Sequence, residues 1–180
     1  MNLFEPEEMW NAVQERMARP GFLGWLVLIP ALGALAVTIA AETGVRVFTT
    51  EWNAVIGYSA RPDDDGARMR LLWVSLALAP FVQAAAGLLI LPLYGLPRRA
   101  PAMLAVAVVG TVPLYLAGLS LVLLPGILVV IVAFFVSCAW WVTGARVLLG
   151  LPRGEGPEFV TVMVLAASSA MFLCSTAFRF

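Results

Sequence analysis

The sequence predicts an all-helical, polytopic membrane protein with five transmembrane helices and an N-terminal interfacial amphipathic helix. Of the 180 residues, 62% are hydrophobic and only 12% are charged, a balance outside the range of soluble domains. The charged residues fall between long uncharged stretches, each with the roughly 20 residues that a helix needs to cross about 30 Å of hydrocarbon. The apolar residues near the N-terminus recur instead with the period of an amphipathic helix.

The composition excludes several classes of function. The eleven basic residues, all arginine, are balanced by eleven carboxylates, so the concentrated positive charge of a nucleic-acid-binding protein is missing. The sequence has no histidine, which removes a principal ligand of zinc and haem and the commonest general base. We therefore expect no nucleic-acid partner, no metal, no cofactor and no catalytic residues. The acidic run 63–65 fits no complete calcium loop and is predicted to be a solvated turn.

Residues 1–21 are predicted to form an interfacial amphipathic segment. Pro6 suits the first turn of a helix, and the apolar side chains that follow share one helical face. Trp10 lies on this face, and we expect it to anchor the helix at headgroup level. A similar period in the loop over 42–70 predicts a second surface helix, anchored by Trp52. The apolar face of the first helix comprises Met9, Trp10, Val13 and Met17.

The rest of the chain, 22–180, is predicted to form one membrane domain. The longest uncharged stretch can cross the membrane twice, and Pro125-Gly126 supplies the turn that divides it. The predicted spans are about 22–41, 71–94, 102–123, 127–149 and 159–178, with an outer loop over 42–70.

Arginine placement predicts the orientation of these spans. Five crossings put the termini on opposite sides, and an N-terminus inside leaves six arginines on the cytoplasmic side and five outside. The short loop that holds Arg98 and Arg99 supports this choice, because the positive-inside rule is most reliable for short loops. We expect a bacterial inner-membrane location with a cytoplasmic N-terminus and a periplasmic or external C-terminus.

Few polar side chains lie at membrane depth. Gln83 follows Pro80, which removes a backbone donor and frees a carbonyl one turn earlier. Gln83 is therefore predicted to have a structural role, as a hydrogen bond to a neighbouring helix or to the freed carbonyl, or else to contact a ligand or line a pore. We expect the arginines near the cytoplasmic helix ends, Arg98, Arg99, Arg146 and Arg153, to be polar or lipid contacts in the headgroup layer. For Arg146, an ion pair with Glu158 is the alternative.

Three short motifs suggest a family. Thr111-Val112-Pro113-Leu114-Tyr115 leads to Gly118, Thr143-Gly144 follows in the next helix, and Gly150-Leu151-Pro152 closes it. Together with the opening Leu3-Phe4-Glu5-Pro6, these motifs resemble the Yip (Ypt/Rab-interacting protein) domain family, specifically its bacterial YohC-like inner-membrane branch. The resemblance marks seven residues as family-motif and helix-packing candidates: Thr111, Pro113, Gly118, Thr143, Gly144, Gly150 and Pro152.

The resemblance implies a five-helix membrane domain with a cytosolic N-terminus. The chain departs from the family where Ala145-Arg146-Val147 replaces a tyrosine-rich stretch, so we expect no function that rests on those aromatic side chains. In eukaryotes the family implies interaction with Rab GTPases, a pathway that bacteria do not have. For this chain, the resemblance implies a membrane scaffold or adaptor with an undefined partner.

Three functions remain open at this point. The leading hypothesis is a non-enzymatic adaptor, assembly factor or accessory subunit of a membrane complex, which binds membrane lipid and a protein partner or further copies of itself through small-residue helix faces. The alternative is a small lipid or small-molecule transporter whose path lies between the proline-kinked second and third spans, lined by Gln83, Thr111 and Ser120. The weakest is a lipid-modifying enzyme that uses Arg153, Glu155 and Glu158.

Overall fold

The computed structural model describes residues 6–44, 65–120 and 127–177, with side chains over 6–40, 73–119 and 128–170. These residues form helices joined by turns, and no strand occurs among them, so the prediction of an all-helical fold is confirmed. A 3₁₀ turn (Leu91–Tyr94) follows the third helix and a π turn (Ala145–Leu149) extends the fifth. The helices are α1 (Pro6–Met17), α2 (Phe22–Gly44), α3 (Asp65–Ile90), α4 (Ala100–Ser120), α5 (Ile127–Gly144) and α6 (Gly156–Ala177).

Helices α2 to α5 are long and apolar enough to cross a membrane. Their candidate spans lie close to the first four that the sequence predicts, and the helix over Gly156–Ala177 occupies the position of the fifth. The described apolar stretch of α6, Gly156–Ala170, is shorter, so the count of five stays a prediction. The four candidate spans are Phe22–Ala40, Trp73–Tyr94, Ala100–Leu119 and Leu128–Leu149.

Helix α4 is the centre of the bundle. Of its apolar window 61% is buried, against 28% for each of the other three candidate spans, and it contacts α2, α3 and α5. Its sequence explains this position, because small residues recur along it and let neighbouring helices approach closely. Ala102, Ala105 and Ala107 are all buried there.

Helix α6 lies at the edge of the bundle, where it contacts α3 and, less extensively, α5. Helix α1 lies at one end of the bundle, against α5 and the π turn. The end of α3 meets the start of α6 at this same end, since the rings of Tyr94 and Phe159 pack edge to face with centroids 5.6 Å apart. We call this region the α1 end; it is the side that the sequence predicts to be cytoplasmic.

Candidate functional site

Helix α1 presents its apolar face to protein. Met9, Val13 and Met17 pack against the hydrophobic core, and Trp10 belongs to that core with no exposed surface. The expectation that Trp10 anchors α1 at headgroup level is therefore wrong: the indole is enclosed by protein, and the amphipathic pattern identified the buried face but not what covers it. Trp52 lies outside the described residues.

Gly144 provides the space that Trp10 occupies. A Cβ built on Gly144 would lie 2.5 Å from Cζ2 of the Trp10 ring and under 3 Å from two further ring atoms. Only glycine can stand there while the indole is in place, which gives the Thr143-Gly144 motif a packing role. The Trp10 Nε1 group is buried and has no acceptor among the described residues.

The π turn holds Arg146 beside α1. Gly150 ends the turn with φ +80°, a left-handed conformation suited to glycine, and donates its N–H to the Ala145 carbonyl. Arg146 Nη2 lies 3.5 Å from Glu7 Oε1. The sequence-based alternative of a pair with Glu158 is therefore wrong, because the carboxylate comes from α1.

Trp10, rather than the ion pair, holds α1 in place. The Arg146 and Glu7 side chains are 25% and 62% exposed, and an exposed pair contributes about 0–1 kcal/mol. Truncating a fully buried tryptophan to alanine costs roughly 3–5 kcal/mol. The described turn over 18–21 joins α1 to α2, and the apolar face of α1, with Trp10 against Gly144, holds the helix on the bundle.

The other predicted cationic side chains at the α1 end are exposed. Arg98 and Arg99 lie between the 3₁₀ turn and α4, and Arg153 lies in the turn before α6. Over the part of the chain that the structure describes, none of the three forms an ion pair. They are free to contact headgroups, and that contact stays a prediction.

Gln83 faces Thr111 across the contact between α3 and α4. The Thr111 hydroxyl lies 2.7 Å from the Ala107 carbonyl and 3.4 Å from Gln83 Oε1. A hydroxyl carries one proton, so the shorter contact is the principal bond, and Gln83 Oε1 accepts only a weak share of it across the helix contact. Gln83 is half-buried, and its contact with Thr111 favours the interhelical role, which stays a prediction.

Tyr115 performs the role that the sequence offered to Gln83. Pro80 has no N–H, so the carbonyl four residues earlier, on Leu76, loses its helical partner. The Tyr115 hydroxyl of α4 donates to that carbonyl at 2.8 Å, while its ring fills the space beside Gly33 of α2. The sequence patterns do not single out Tyr115, although a phenol inside an apolar span signals a need for an acceptor.

Trp141 is a second structural residue that the sequence patterns do not single out. Its ring stands so close to Gly110 that a Cβ there would overlap it, and its Nε1 donates to the Ala107 carbonyl at 3.3 Å. This contact joins α5 to the central helix. In the sequence, Gly110 is the signal for this contact. A glycine within an apolar helix marks a place where a neighbouring helix comes close, as well as a flexible position.

The family-motif residues do not converge on one site. Thr111, Pro113 and Gly118 lie along α4, where a Cβ on Gly118 would meet Val37 at 2.7 Å. The remaining motif residues, Thr143, Gly144, Gly150 and Pro152, lie at the α1 end. The motif residues whose contacts the structure describes either pack helices together or end a helix.

The exposed side chains of α6 change along the helix: Val162 and Leu165 are large and apolar, whereas those over 166–170 are small. Helices α2 and α5 expose large apolar side chains, among them Leu28, Leu32, Val132 and Phe135. Over 166–170, the exposed side chains of α6 are all small, and Ala167 is buried. The exposed residues are Ala166, Ser168, Ser169 and Ala170.

Comparison of the chain with models of protein families, with curated proteins and with solved structures finds no match. The resemblance to the Yip family therefore rests on the short motifs alone.

Proposed function

We propose that the protein is a bacterial inner-membrane protein of five crossings, in which α6 is the fifth. Its 22 residues would extend about 33 Å as a helix, enough for the roughly 30 Å of hydrocarbon. The N-terminus and the α1 end would then be cytoplasmic, and the C-terminus would be periplasmic or external. The motif resemblance to the Yip family supports the same arrangement.

Within that membrane we infer a non-enzymatic role as adaptor, assembly factor or accessory subunit. The observation that carries this inference is the pair of exposed hydroxyls on α6. Ser168 and Ser169 lie about 18 Å along the helix, near the middle of the hydrocarbon. Neither hydroxyl has a hydrogen-bond partner among the described residues, whereas Thr161 of the same helix donates to the Pro157 carbonyl at 2.8 Å.

A partner helix is the natural acceptor for these hydroxyls. Leaving a polar group unpaired in hydrocarbon is costly, and small residues allow the close approach that interhelical hydrogen bonding needs. The exposed Ala166 lies three residues before Ser169 and four before Ala170, spacings that put these small side chains on neighbouring parts of the helix surface. A helix of a partner subunit, or α6 of a second copy, would fit this face.

The contacts between α3 and α4 do not support the transporter alternative. Its path needs space between α3 and α4, and there Gln83 faces Thr111, Tyr115 bonds the Leu76 carbonyl, and Met103 occupies the space beside Gly87. The Ser120 side chain lies outside the described ones. The adaptor hypothesis is the one that the described geometry favours.

The test is extraction of the full chain in polymer-bounded native nanodiscs, with the assembly's mass and composition measured by mass photometry and mass spectrometry. We expect a defined assembly for the wild type. Ser169→Leu and Ala166→Leu should reduce it about ten-fold, because each blocks close approach at a face where hydrogen bonds and packing contribute on the order of 1–2 kcal/mol.

Two variants sharpen this test. Ser169→Ala keeps the size and removes only the hydroxyl, so a partial loss would attribute part of the affinity to hydrogen bonding. Val132→Leu adds bulk to a side chain that is 61% exposed on α5 and should change nothing. A wild-type protein that is monomeric and without a partner, or an equal loss in Val132→Leu, contradicts the proposal.

A further inference from the structure

A recess opens at the α1 end between three elements of the bundle. It has a volume of about 290 Å³ and is walled by α1, by the first turn of α4 and by the π turn. The lining residues are Gln14, Met17, Arg99, Pro101, Ala102 and Leu148.

The recess combines one cation and one amide with an apolar floor. Arg99 supplies a guanidinium, whose planar fork suits phosphate oxygens, and Gln14 supplies an amide that can donate a further hydrogen bond. Ala102 and Leu148 form part of the floor and are each 5% exposed. No carboxylate lines the recess among the residues that the structure describes, so an anion meets no repulsion from these walls.

The surroundings of Arg99 favour an anionic ligand. Within the described ranges 6–44, 65–120 and 127–177 its guanidinium has no ion-pair partner, unlike that of Arg146, which lies beside Glu7. The recess also opens at the start of α4, where the N–H groups of Ala100 and Ala102 precede the first helical bond, from Met103 to the Arg99 carbonyl, and the helix dipole favours negative charge.

The position of the recess indicates where the anion comes from. Arg99 immediately precedes the candidate span Ala100–Leu119, so the recess lies at the depth of lipid headgroups. A phospholipid phosphate at that depth can reach the guanidinium while its glycerol and first methylenes contact the apolar floor. A soluble phosphate would use the cation and the amide but leave the apolar walls empty.

We propose that this recess binds the phosphate of one anionic phospholipid, with Arg99 as its cation and Gln14 as a supporting donor. The site is separate from the α6 face, and neither depends on the other. Because α1 contributes Gln14 and Met17, a bound lipid joins α1 to the start of α4.

Native mass spectrometry of the detergent-solubilised full chain tests this proposal. Titration with phosphatidylglycerol should give a first adduct that saturates well before the others, and phosphatidylcholine should not. Arg99→Gln should weaken the first adduct about ten-fold, the loss expected for one charge-assisted hydrogen-bonding group. Arg98→Gln removes the same charge from the neighbouring residue, which does not line the recess, and should leave the first adduct intact.

A second pair of variants avoids altering Arg99. Gln14→Glu places a carboxylate in the recess and should also weaken the first adduct, whereas Asn11→Glu adds the same charge to an exposed position of α1 that does not line it. Equal losses in Arg98→Gln and Arg99→Gln, or equal binding of phosphatidylcholine, would overturn the proposal. Binding of glycerol phosphate or inorganic phosphate as tight as that of phosphatidylglycerol would overturn the lipid as the source of the anion.

Discussion

Tyr115 connects the central helix α4 to two of its neighbours, α2 and α3. Its hydroxyl supplies the donor that Pro80 removed from α3, and its ring fills the space beside Gly33 of α2. One side chain therefore joins three helices. The bond repairs a specific defect, since Leu76 is the residue whose carbonyl the proline leaves without a partner.

Tyr115→Phe should destabilise the protein by about 1 kcal/mol, a typical value for an interhelical hydrogen bond in a membrane. The loss should shrink in a Pro80→Ala background, because alanine restores the N–H that bonds the Leu76 carbonyl within the helix. A double-mutant cycle measured by unfolding in mixed detergent micelles isolates this coupling. Equal costs of Tyr115→Phe in both backgrounds would show that the hydroxyl does not serve the freed carbonyl.

At the residue scale, the sequence predicts that a backbone carbonyl needs a hydrogen-bond donor, but it does not predict which residue supplies that donor. Pro80 and its freed carbonyl follow from the sequence alone, and Gln83 is the candidate donor that the sequence offers just after Pro80. Tyr115 lies 39 positions from Leu76, and only the packing of α4 against α3 brings the two together. The same limit applies to Arg146, whose partner Glu7 belongs to a helix far away in sequence.

Helix α1 shows what an amphipathic pattern can and cannot establish about an element. The spacing of these apolar residues identifies the face of α1 that is buried away from water: Met9, Trp10, Val13 and Met17. Lipid and protein can both cover such a face, and hydrophobicity alone does not distinguish them. The distinguishing feature is Gly144, whose missing side chain leaves room for the Trp10 ring.

Gly144→Ala should release α1 from the bundle. The added Cβ overlaps a rigid ring that is fully enclosed, and overpacking of this kind costs about 1–3 kcal/mol, which raises the undocked population about ten-fold. Trypsin cleavage after Arg16, in the last turn of α1, reports this population in the solubilised protein. We expect the cleavage rate to rise by the same factor.

Gly154→Ala is the matched control for this experiment. It makes the same change at the α1 end, where a Cβ would meet nothing within 4 Å, and the cleavage rate should stay at the wild-type value. A Gly144→Ala protein as resistant as the wild type would mean that Trp10 does not hold α1 through this contact.

At the scale of the whole molecule, the distribution of charge predicted most of the architecture. Uncharged stretches of spanning length locate α2 to α5 within a few residues, because the cost of placing charge in hydrocarbon confines arginine and carboxylates to the helix ends. The same stretches do not indicate which helix is central. That role belongs to α4 because its small residues permit contact on several sides, a property of packing rather than of hydropathy.

The proposed assembly role depends on a fifth crossing by α6, since Ser168 and Ser169 can meet a partner helix inside the bilayer only if α6 spans it. Cysteine accessibility in intact cells tests this most directly. In a background with Cys138→Ala and Cys174→Ala, single cysteines would be introduced by Arg98→Cys, by Ser59→Cys and by addition after Phe180. We predict that a membrane-impermeant maleimide labels the cysteine at position 59 and the C-terminal one, and labels position 98 only after permeabilisation. A C-terminal cysteine protected together with position 98 would contradict the fifth crossing and the α6 interface with it.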